Sequence, residues 1–366
     1  MKSISVFNNK GGVGKTTLTF HLAHALASLG HKTLIIDADP QCNLSIYSLS
    51  SEQIGEIWEA EDDFIEEGIE SASSRLKPRQ LKKLLSEPRS LHFIIKPTED
   101  GQNEWSDLPP PIELRRNLHL ICGRLSLHSY EEKVSTRWSD AYRNDPLAIR
   151  TISKIRNISE QYTEIYNYDY VIIDTSPSLG ALNKTIISTV DGFFIPAYPD
   201  LFSLYGIRNI GKSLKTWKKD FETLYQLIST DKRKQFPKRF VSFLGYTIYN
   251  AKKYSNKNTW NLANAHLKFA NKIPGDIERF IDASLRNHIT HEELARPIGD
   301  DQIMHTHNTF PALAQHYHVP MWEVPTLPNL ESDDQNTVTG SSGKLRDTKA
   351  CYQHFARDLL SRLTKV

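Results

Sequence analysis

The sequence predicts an α/β fold in which a mostly parallel, twisted sheet is flanked by helices. The first observation is an apolar run, Ile4 to Phe7, that leads through a glycine-rich loop into the Ala-rich segment Leu18 to Leu29. The second is that two more apolar runs, Leu34 to Ile36 and Tyr170 to Ile173, each end at an aspartate. With 366 residues and 39% hydrophobic content, the chain can form one large α/β domain with additions.

The loop after the first strand has the composition of a phosphate-binding site. Its glycines let backbone N–H groups turn inward onto phosphate oxygens, and the next helix adds its positive N-terminal end. We expect Lys15 to hold the β- and γ-phosphates, Thr16 to bind Mg²⁺ and Thr17 to contact the α-phosphate. The predicted nucleotide-binding residues of the loop are Gly11, Gly12, Val13, Gly14, Lys15, Thr16 and Thr17. The alternative, a glycine-rich turn without a ligand, requires strand, glycines, GKT and helix to coincide by chance.

Lys10 has no role in an ordinary phosphate-binding loop. The segment Lys10 to Thr17 resembles the deviant Walker A box of the ParA/MinD family of P-loop ATPases. In that family the early lysine reaches across a dimer that encloses the nucleotides and contacts the partner's phosphates. The resemblance therefore implies that Lys10 acts in trans on ATP, and we predict Lys10 and Lys15 as catalytic residues.

Two aspartate-bearing segments agree with the resemblance. Leu34 to Asn43 resembles the family's switch I, which implies that Asp39 orients the attacking water and that Asp37 lies near the Mg²⁺ shell. Tyr170 to Gly180 is similar to the Walker B and switch II segment, which places Asp174 among the metal residues with Thr16 and Asp37. The carboxyl ends of parallel strands share one edge, so these side chains should converge on one crevice. The alternative is that these aspartates cap turns or end strands in solvent.

A base contact is predicted later in the chain. Phe243 to Asn250 resembles the next strand of the family's core, and a loop at the end of that strand generally reads the base. Asn250 is therefore a candidate adenine contact. A turn residue with local hydrogen bonds is the alternative interpretation of Asn250.

The net charge of +2 conceals two regions of opposite charge. Residues 52–70 contain nine Asp and Glu and no Lys or Arg, with apolar residues at mixed helical spacing. This indicates an acidic amphipathic helix or helix pair, which either packs on the domain or docks a basic partner. Residues 201–290 contain seventeen Lys and Arg against six Asp and Glu, an excess of eleven. Such a surface can neutralise DNA phosphates without reading sequence, although solvated helix faces look similar.

The domain organisation follows from these features and the family resemblance. We expect residues 1–47 and 169–322 to form the ATPase core, the second part carrying the basic surface. Residues 48–168 are an enlarged insert between switch I and Walker B, acidic at its start. Residues 323–344 are rich in Pro, Ser, Asn, Asp and Gly and predict a flexible linker. Residues 345–366 predict a helix with one apolar stripe, which either packs on the core or lies on a membrane.

Several classes of protein are disfavoured by the sequence. No apolar run approaches membrane-spanning length, and the first residues run directly into a strand, so we expect a cytoplasmic protein able to associate with the nucleoid. The related nitrogenase iron proteins need two cysteines per subunit at the dimer axis, whereas Cys42, Cys122 and Cys351 are isolated. Six histidines lie between His288 and His318, yet no Cys or clustered carboxylate completes a zinc set in the sequence.

The family resemblance implies a function. It predicts an ATP hydrolase that needs ATP and Mg²⁺, forms an ATP-sandwich homodimer, turns over slowly and is stimulated by a partner protein. Such a protein binds double-stranded DNA nonspecifically and serves DNA partition or cargo positioning. Two alternatives remain: a MinD-like ATPase that works on a membrane surface, and a regulatory ATPase switch that docks on a partner enzyme, as in a defence or mobile-element system.

Overall fold

The computed structural model describes residues 1–234, 236–254, 258 and 260–366. Its centre is a seven-stranded sheet in the order β3-β4-β2-β5-β1-β6-β7. All neighbouring pairs are parallel except the edge pair of β3 with β4, so the predicted fold class is confirmed. The strands are β1 (Lys2–Val6), β2 (Thr33–Asp37), β3 (Ile112–Arg115), β4 (Leu118–Ile121), β5 (Tyr170–Asp174), β6 (Gly192–Ala197) and β7 (Ser242–Ile248).

Helices cover both faces of this sheet. Within the described residues they are α1 (Lys15–Ser28), α2 (Asn43–Ser48), α3 (Ser51–Glu59), α4 (Asp62–Glu66), α5 (Ile69–Ser74), α6 (Pro78–Leu85), α7 (Leu91–Glu99), α8 (Leu127–Ala141), α9 (Pro146–Tyr166), α10 (Ala181–Thr189), α11 (Leu201–Leu227), α12 (Thr230–Arg233), α13 (Asn264–Ala270), α14 (Ile273–Phe280), α15 (Ala283–Arg286), α16 (His291–Ala295), α17 (Phe310–His316) and α18 (Ser332–Leu363). A short 3₁₀ helix spans Val324–Thr326.

The central strands are apolar on both faces because each face is covered by helices. Along β2, Leu34 and Ile36 belong to one hydrophobic cluster and Ile35 to the other, as strand alternation requires. In β5 the same alternation separates Val171 from Ile172. The two clusters lie on opposite faces of the sheet, which therefore forms the middle layer of a three-layer domain.

The parallel register places the predicted carboxylates at one edge of the sheet. Asp37 at the end of β2 and Val6 at the end of β1 both pair with Asp174 at the end of β5. The phosphate-binding loop starts directly after β1, so it lies at the same edge. The Thr16 hydroxyl donates to Asp174 over 2.8 Å, so the loop and this aspartate meet at that edge.

Part of the expected insert belongs to the core. Residues 48–168 supply β4, which pairs in parallel with β2 and extends the sheet by one strand beyond it. They also supply α9, whose apolar residues pack in one of the two main clusters. The prediction that residues 48–168 are separate from the ATPase core is therefore wrong for β4 and α9. The sequence signal was the apolar alternation of Asn117 to Cys122, but the pairing partner of that strand lies about eighty residues earlier in the chain.

The expected flexible linker at 323–344 is also wrong for most of its length. A single helix, α18, begins at Ser332 and runs to Leu363 without interruption. Its polar first half is anchored because Val338 and Leu345 are buried against the core. A helix that is nucleated by its amphipathic second half can extend at little cost when a few apolar side chains anchor the rest.

The second half of α18 packs on the core rather than leaving an apolar face exposed. Tyr352, Phe355, Leu359 and Leu363 are buried, and the helix contacts α1. Over the described ranges, no helix combines the length and the hydropathy that crossing a bilayer would need.

Candidate phosphate and metal site

The phosphate-binding loop has the backbone conformation that its glycines permit. Gly12 and Gly14 have φ of 71° and 79°, in the left-handed region that favours glycine. At Gly14 a Cβ atom would also lie 2.3 Å from the ring of Tyr249, which follows β7. The Tyr249 ring therefore packs directly against the glycine-rich turn at Gly14.

The N-terminus of α1 lies at the cavity over the loop and has no side-chain cap from its N-cap residue. Gly14 occupies the N-cap position and has no side chain to accept a hydrogen bond from the first turn. The N–H groups of that turn and the helix dipole are therefore available to an anion. Lys15 lies at the start of the helix, and its ammonium donates to the carbonyl of Lys10 over 3.2 Å. Burial lowers the pKa of Lys15, and Asp174 and Asp39 oppose that shift.

Asp37, Asp39 and Asp174 lie at or just after the ends of β2 and β5, at the same edge of the sheet as the loop. Thr16 and Thr19 donate hydroxyl hydrogen bonds to the two oxygens of Asp174, over 2.8 and 3.2 Å. Asp37 accepts the amide of Asp39 over 3.2 Å. Burial, with the facing carboxylates adding to it, raises the pKa of Asp37 to about 7. Burial likewise raises the pKa of Asp174 to about 6.

This set of groups fits Mg²⁺. The ion prefers oxygen ligands, keeps several waters and is usually bound by one or two carboxylates together with substrate phosphates. Thr16, Asp37 and Asp174 supply such oxygens beside a phosphate-binding loop. Within the described residues, no three acidic, His or Cys groups at this edge bring their ligand atoms within 4.8 Å of one another, so the protein does not form a closed cage. Buried carboxyl groups with raised pKa values are favourable neighbours for a divalent cation.

The cavity over the loop has a volume of about 280 Å³ and includes residues that the sequence reasoning missed. It is lined by Gly11, Gly12, Gly14, Lys15, Thr16, Thr17, Asp39, Gln41, Asn43, Tyr47, Pro177 and Gln315. Gln41 and Asn43 adjoin the aspartate motif and could have been noticed. Tyr47 and Gln315 carry no local signal, because they lie on α2 and α17, which meet only in the folded chain. The hydroxyl of Tyr47 on α2 donates to the carbonyl of Pro311 on α17 over 2.7 Å, which holds the two helices together.

Lys10 does not join Lys15 inside the loop. Its ammonium is 2.5 Å from a carboxylate oxygen of Asp200, the N-cap residue of α11. It also lies 5.0 Å from the centre of the Tyr198 ring. The Lys10 side chain is one quarter exposed, so the extra lysine of the motif points to α11 rather than into the loop. Burial alone would raise the pKa of Asp200, but Lys10 and the amide of Ser203 hold it below its usual range.

Asn250, the predicted adenine contact, is exposed just after β7 with a left-handed φ of 61°. It is not among the residues that line the cavity, whereas its neighbour Tyr249 contacts the loop at Gly14. A left-handed asparagine also suits the alternative role of turn residue. The adenine role therefore stays a prediction.

The histidines between His288 and His318 do not gather at the phosphate site. His307 is largely buried, and its pKa is lowered to about 4 by burial. Among the residues described, the one group with the proximity of metal ligands is exposed or half-buried and consists of His316, Glu331 and Asp334. A hydrogen bond of 2.9 Å already joins His316 to Glu331, so these groups satisfy each other.

Comparison with known proteins identifies relatives. The sequence profile of the AAA domain family matches residues 1–227. Uncharacterized protein MJECL24 of Methanocaldococcus jannaschii is 30% identical over 210 residues, which are 57% of this chain and 63% of that protein. Chromosome partitioning protein ParA of Caulobacter vibrioides is 24% identical over 215 residues, 59% of this chain and 62% of that protein. The match thus spans less than two thirds of the length of these relatives.

A solved structure shares the fold over almost the whole chain. The structure of pNOB8 ParA bound to nonspecific DNA superposes with a TM-score of 0.53, covering 99% of this chain and 98% of that one. The sequence identity is 17%, so this likeness concerns the fold. The coverage includes α18, which the family profile does not reach.

Proposed function

Because this chain belongs to the AAA domain family and is a ParA/MinD-like P-loop ATPase, we propose that it is an ATP-dependent dimeric switch. Two copies enclose two ATP molecules, and the dimer binds double-stranded DNA without sequence preference. Slow hydrolysis, stimulated by a partner protein, returns it to the monomer. The output is DNA partition or the positioning of a cargo.

One observation carries this proposal: a single loop holds two lysines that face different ways. Lys15 is buried in the loop, where it can hold the β- and γ-phosphates of its own nucleotide. Lys10 points away from that nucleotide to α11, and it and its partner Asp200 are each about one quarter exposed. A flexible ammonium in that position can reach a phosphate presented by a second subunit. An ordinary loop with one lysine lacks this second cation for a partner's phosphate.

The chemistry assigned to the site is positioning and charge neutralisation. Thr16, with Asp37 and Asp174, would hold Mg²⁺, which when bound neutralises charge on the phosphates. Asp39 lies at the cavity and orients the attacking water. Burial raises the pKa of Asp39, while the amide of Gln41 and the Lys15 ammonium oppose that rise. Loss of the γ-phosphate would release the segments that carry these aspartates, so that hydrolysis converts them from an ordered to a less ordered state.

The DNA proposal rests on a lysine stripe along α11. Lys212, Lys215 and Lys219 are exposed, and their spacing of three and four residues puts them on one helix face. Arg208 and Lys218 on the same helix have carboxylate partners, whereas the three stripe lysines form no ion pair within the described part of the chain. Unpaired lysines are free to neutralise phosphates. Lys257, another cation of the basic region, lies outside the described residues.

The test is DNA retention by the ATP-trapped protein at graded salt. In an Asp39→Ala background, Lys212→Glu, Lys215→Glu and Lys219→Glu are combined. Each phosphate contact contributes about 0.9 to the slope of log K against log salt, so the slope should fall by about 5 per dimer. The matched control reverses three exposed cations of α6, Arg79, Lys82 and Lys83, and so changes the net charge equally. Equal loss of DNA binding in both triple variants would contradict a specific DNA face.

The alternatives make different predictions in the same assay. The apolar stripe of α18 is buried against the core, which leaves little apolar surface for a membrane in this conformation. Liposomes offered in parallel with DNA should therefore not sediment with the trapped protein. If the trapped protein retains neither DNA nor liposomes, a regulatory switch that docks on a partner enzyme replaces the partition proposal.

A further inference from the structure

The turn after β4, residues 123–126, connects the nucleotide carboxylates to the acidic helices of the inserted segment. It contacts Asp37 on one side and α3 and α4 on the other. No motif marked this turn, and the chemistry proposed above does not use it.

On the nucleotide side, the turn holds Asp37 through Ser45. One carboxylate oxygen of Asp37 accepts both the amide and the hydroxyl of Ser45, over 2.8 and 2.6 Å. The same hydroxyl oxygen accepts the amide of Gly123 over 2.7 Å. A Cβ atom on Gly123 would lie 3.0 Å from the carboxyl carbon of Asp37, so the turn packs directly on this group. Movement of Gly123 must therefore move Ser45, Asp37 or both.

On the other side, Arg124 fastens the turn to α3 and α4. Its guanidinium donates to the carbonyl of Trp58 over 2.7 Å, binds Asp62 and lies 3.5 Å from the fully buried Glu61. The Trp58 ring nitrogen in turn donates to the carbonyl of Gly123 over 3.1 Å. The guanidinium centre is 5.7 Å from the centre of the Trp58 ring. The turn and α3 are therefore hydrogen-bonded in both directions, from Arg124 to Trp58 and from Trp58 to Gly123.

We infer that Arg124 is a positioning residue for ATP hydrolysis, holding Gly123 and hence Ser45 and Asp37 in place against the acidic helices. This inference rests on the proposed function. Removal of a residue that orients the ligands of a metal typically lowers metal affinity or activity about 10- to 100-fold. The position of α3 and α4 therefore sets the turnover rate from outside the nucleotide cavity.

The test compares two buried arginines of the same segment. Arg89 is as buried as Arg124, and it bonds the carbonyls of Leu84 and Pro88 together with Glu87. In the described part of the chain it forms no hydrogen bond to residues 123–126. We expect Arg124→Ala to lower kcat about tenfold with ATP affinity within about twofold, because positioning rather than binding is lost. Arg124→Lys keeps the charge but not the fork of donors, so it should recover part of the rate. Arg89→Ala should keep kcat within about twofold.

Two further measurements keep the inference falsifiable. Hydrogen exchange of residues 37–48 should accelerate in Arg124→Ala and not in Arg89→Ala, whether or not the protein turns over ATP. If Arg124→Ala does not fold, Trp58→Phe removes the donor to Gly123 and shrinks the ring beside Arg124, while it keeps the Trp58 carbonyl that Arg124 bonds. This variant should lower kcat several-fold.

Unchanged kcat in Arg124→Ala, or an equal loss in Arg89→Ala, would overturn the inference. Absence of ATP turnover in the wild-type protein would instead overturn the proposed function, and the exchange comparison would still decide the role of Arg124.

Discussion

Replacement of Asp200 by Asn should tighten ATP-driven dimerisation. In the single chain, Asp200 holds the Lys10 ammonium at 2.5 Å, and this pair must open before Lys10 can reach a partner's phosphate. Asp200 also caps α11 by accepting the amide of Ser203 over 2.9 Å. Asn is as good an N-cap as Asp, so Asp200→Asn removes the charge while keeping the helix start.

The expected magnitude follows from the exposure of the pair. Lys10 and Asp200 are 25% and 26% exposed, so water screens much of their attraction. Pairs of this kind contribute about 0.5 to 1 kcal/mol. Two pairs open per dimer, which gives about 1 to 2 kcal/mol and hence a dissociation constant about 5- to 30-fold lower. The contact of Lys10 with the Tyr198 ring remains in the variant and does not enter this difference.

Sedimentation velocity over a dilution series with Mg²⁺ and ATP measures the effect, in an Asp39→Ala background in which we expect no turnover. The control is Asp220→Asn on the same helix, whose carboxylate pairs with Lys184 at 2.6 Å and is 27% exposed. That variant loses a similar ion pair far from the phosphate loop and should dimerise like the parent. An unchanged or weaker dimer in Asp200→Asn would refute the reasoning that the pair holds Lys10 back.

Three further predictions concern the loop, the carboxylates and the last helix. Gly14→Ala should cost more than about 1 kcal/mol of stability and weaken ATP binding, measured by urea unfolding and calorimetry, because φ is 79° and the Cβ would meet Tyr249 at 2.3 Å. The raised pKa values of Asp37 (about 7) and Asp174 (about 6) mean that the folded protein binds extra protons above pH 3.8. The stability that these two protonated carboxyl groups contribute is therefore lost as pH rises through about 6 to 7. Because protons compete with Mg²⁺ for these groups, the increase in Tm on adding Mg²⁺ and ATP should be larger at pH 8 than at pH 6. Phe355→Ala should lower the free energy of unfolding by about 3 to 5 kcal/mol in urea titrations, since Phe355 is fully buried between α18 and the core. A loss below about 1 kcal/mol would mean that α18 is not docked as described.

The sequence was most informative where chemistry is local. Gly14, Lys15 and Thr16 are adjacent, and their roles follow from a loop between a strand and a helix. Asp37 and Asp174 lie far apart in the chain, yet both end apolar strands, and the rule that ligands bind at carboxyl ends of parallel strands placed them together.

The rest depended on contacts between distant segments. Asp200 meets Lys10 across 190 residues, and Gln315 reaches the cavity only because α17 packs on α2. The polar composition of residues 323–344 predicted a linker, since composition does not reveal that Val338 and Leu345 are buried in the core. Arg124 looked like one more charged residue, because its importance lies in what surrounds it.

The central claim is that Lys10 links ATP to dimerisation, and sedimentation velocity of Lys10→Ala tests it most directly. With Mg²⁺ and ATP, the Asp39→Ala protein should sediment as a dimer. Adding Lys10→Ala should leave a monomer that still binds ATP, because Lys15 and the loop amides are intact. Dimerisation of equal strength with and without Lys10 would contradict the account.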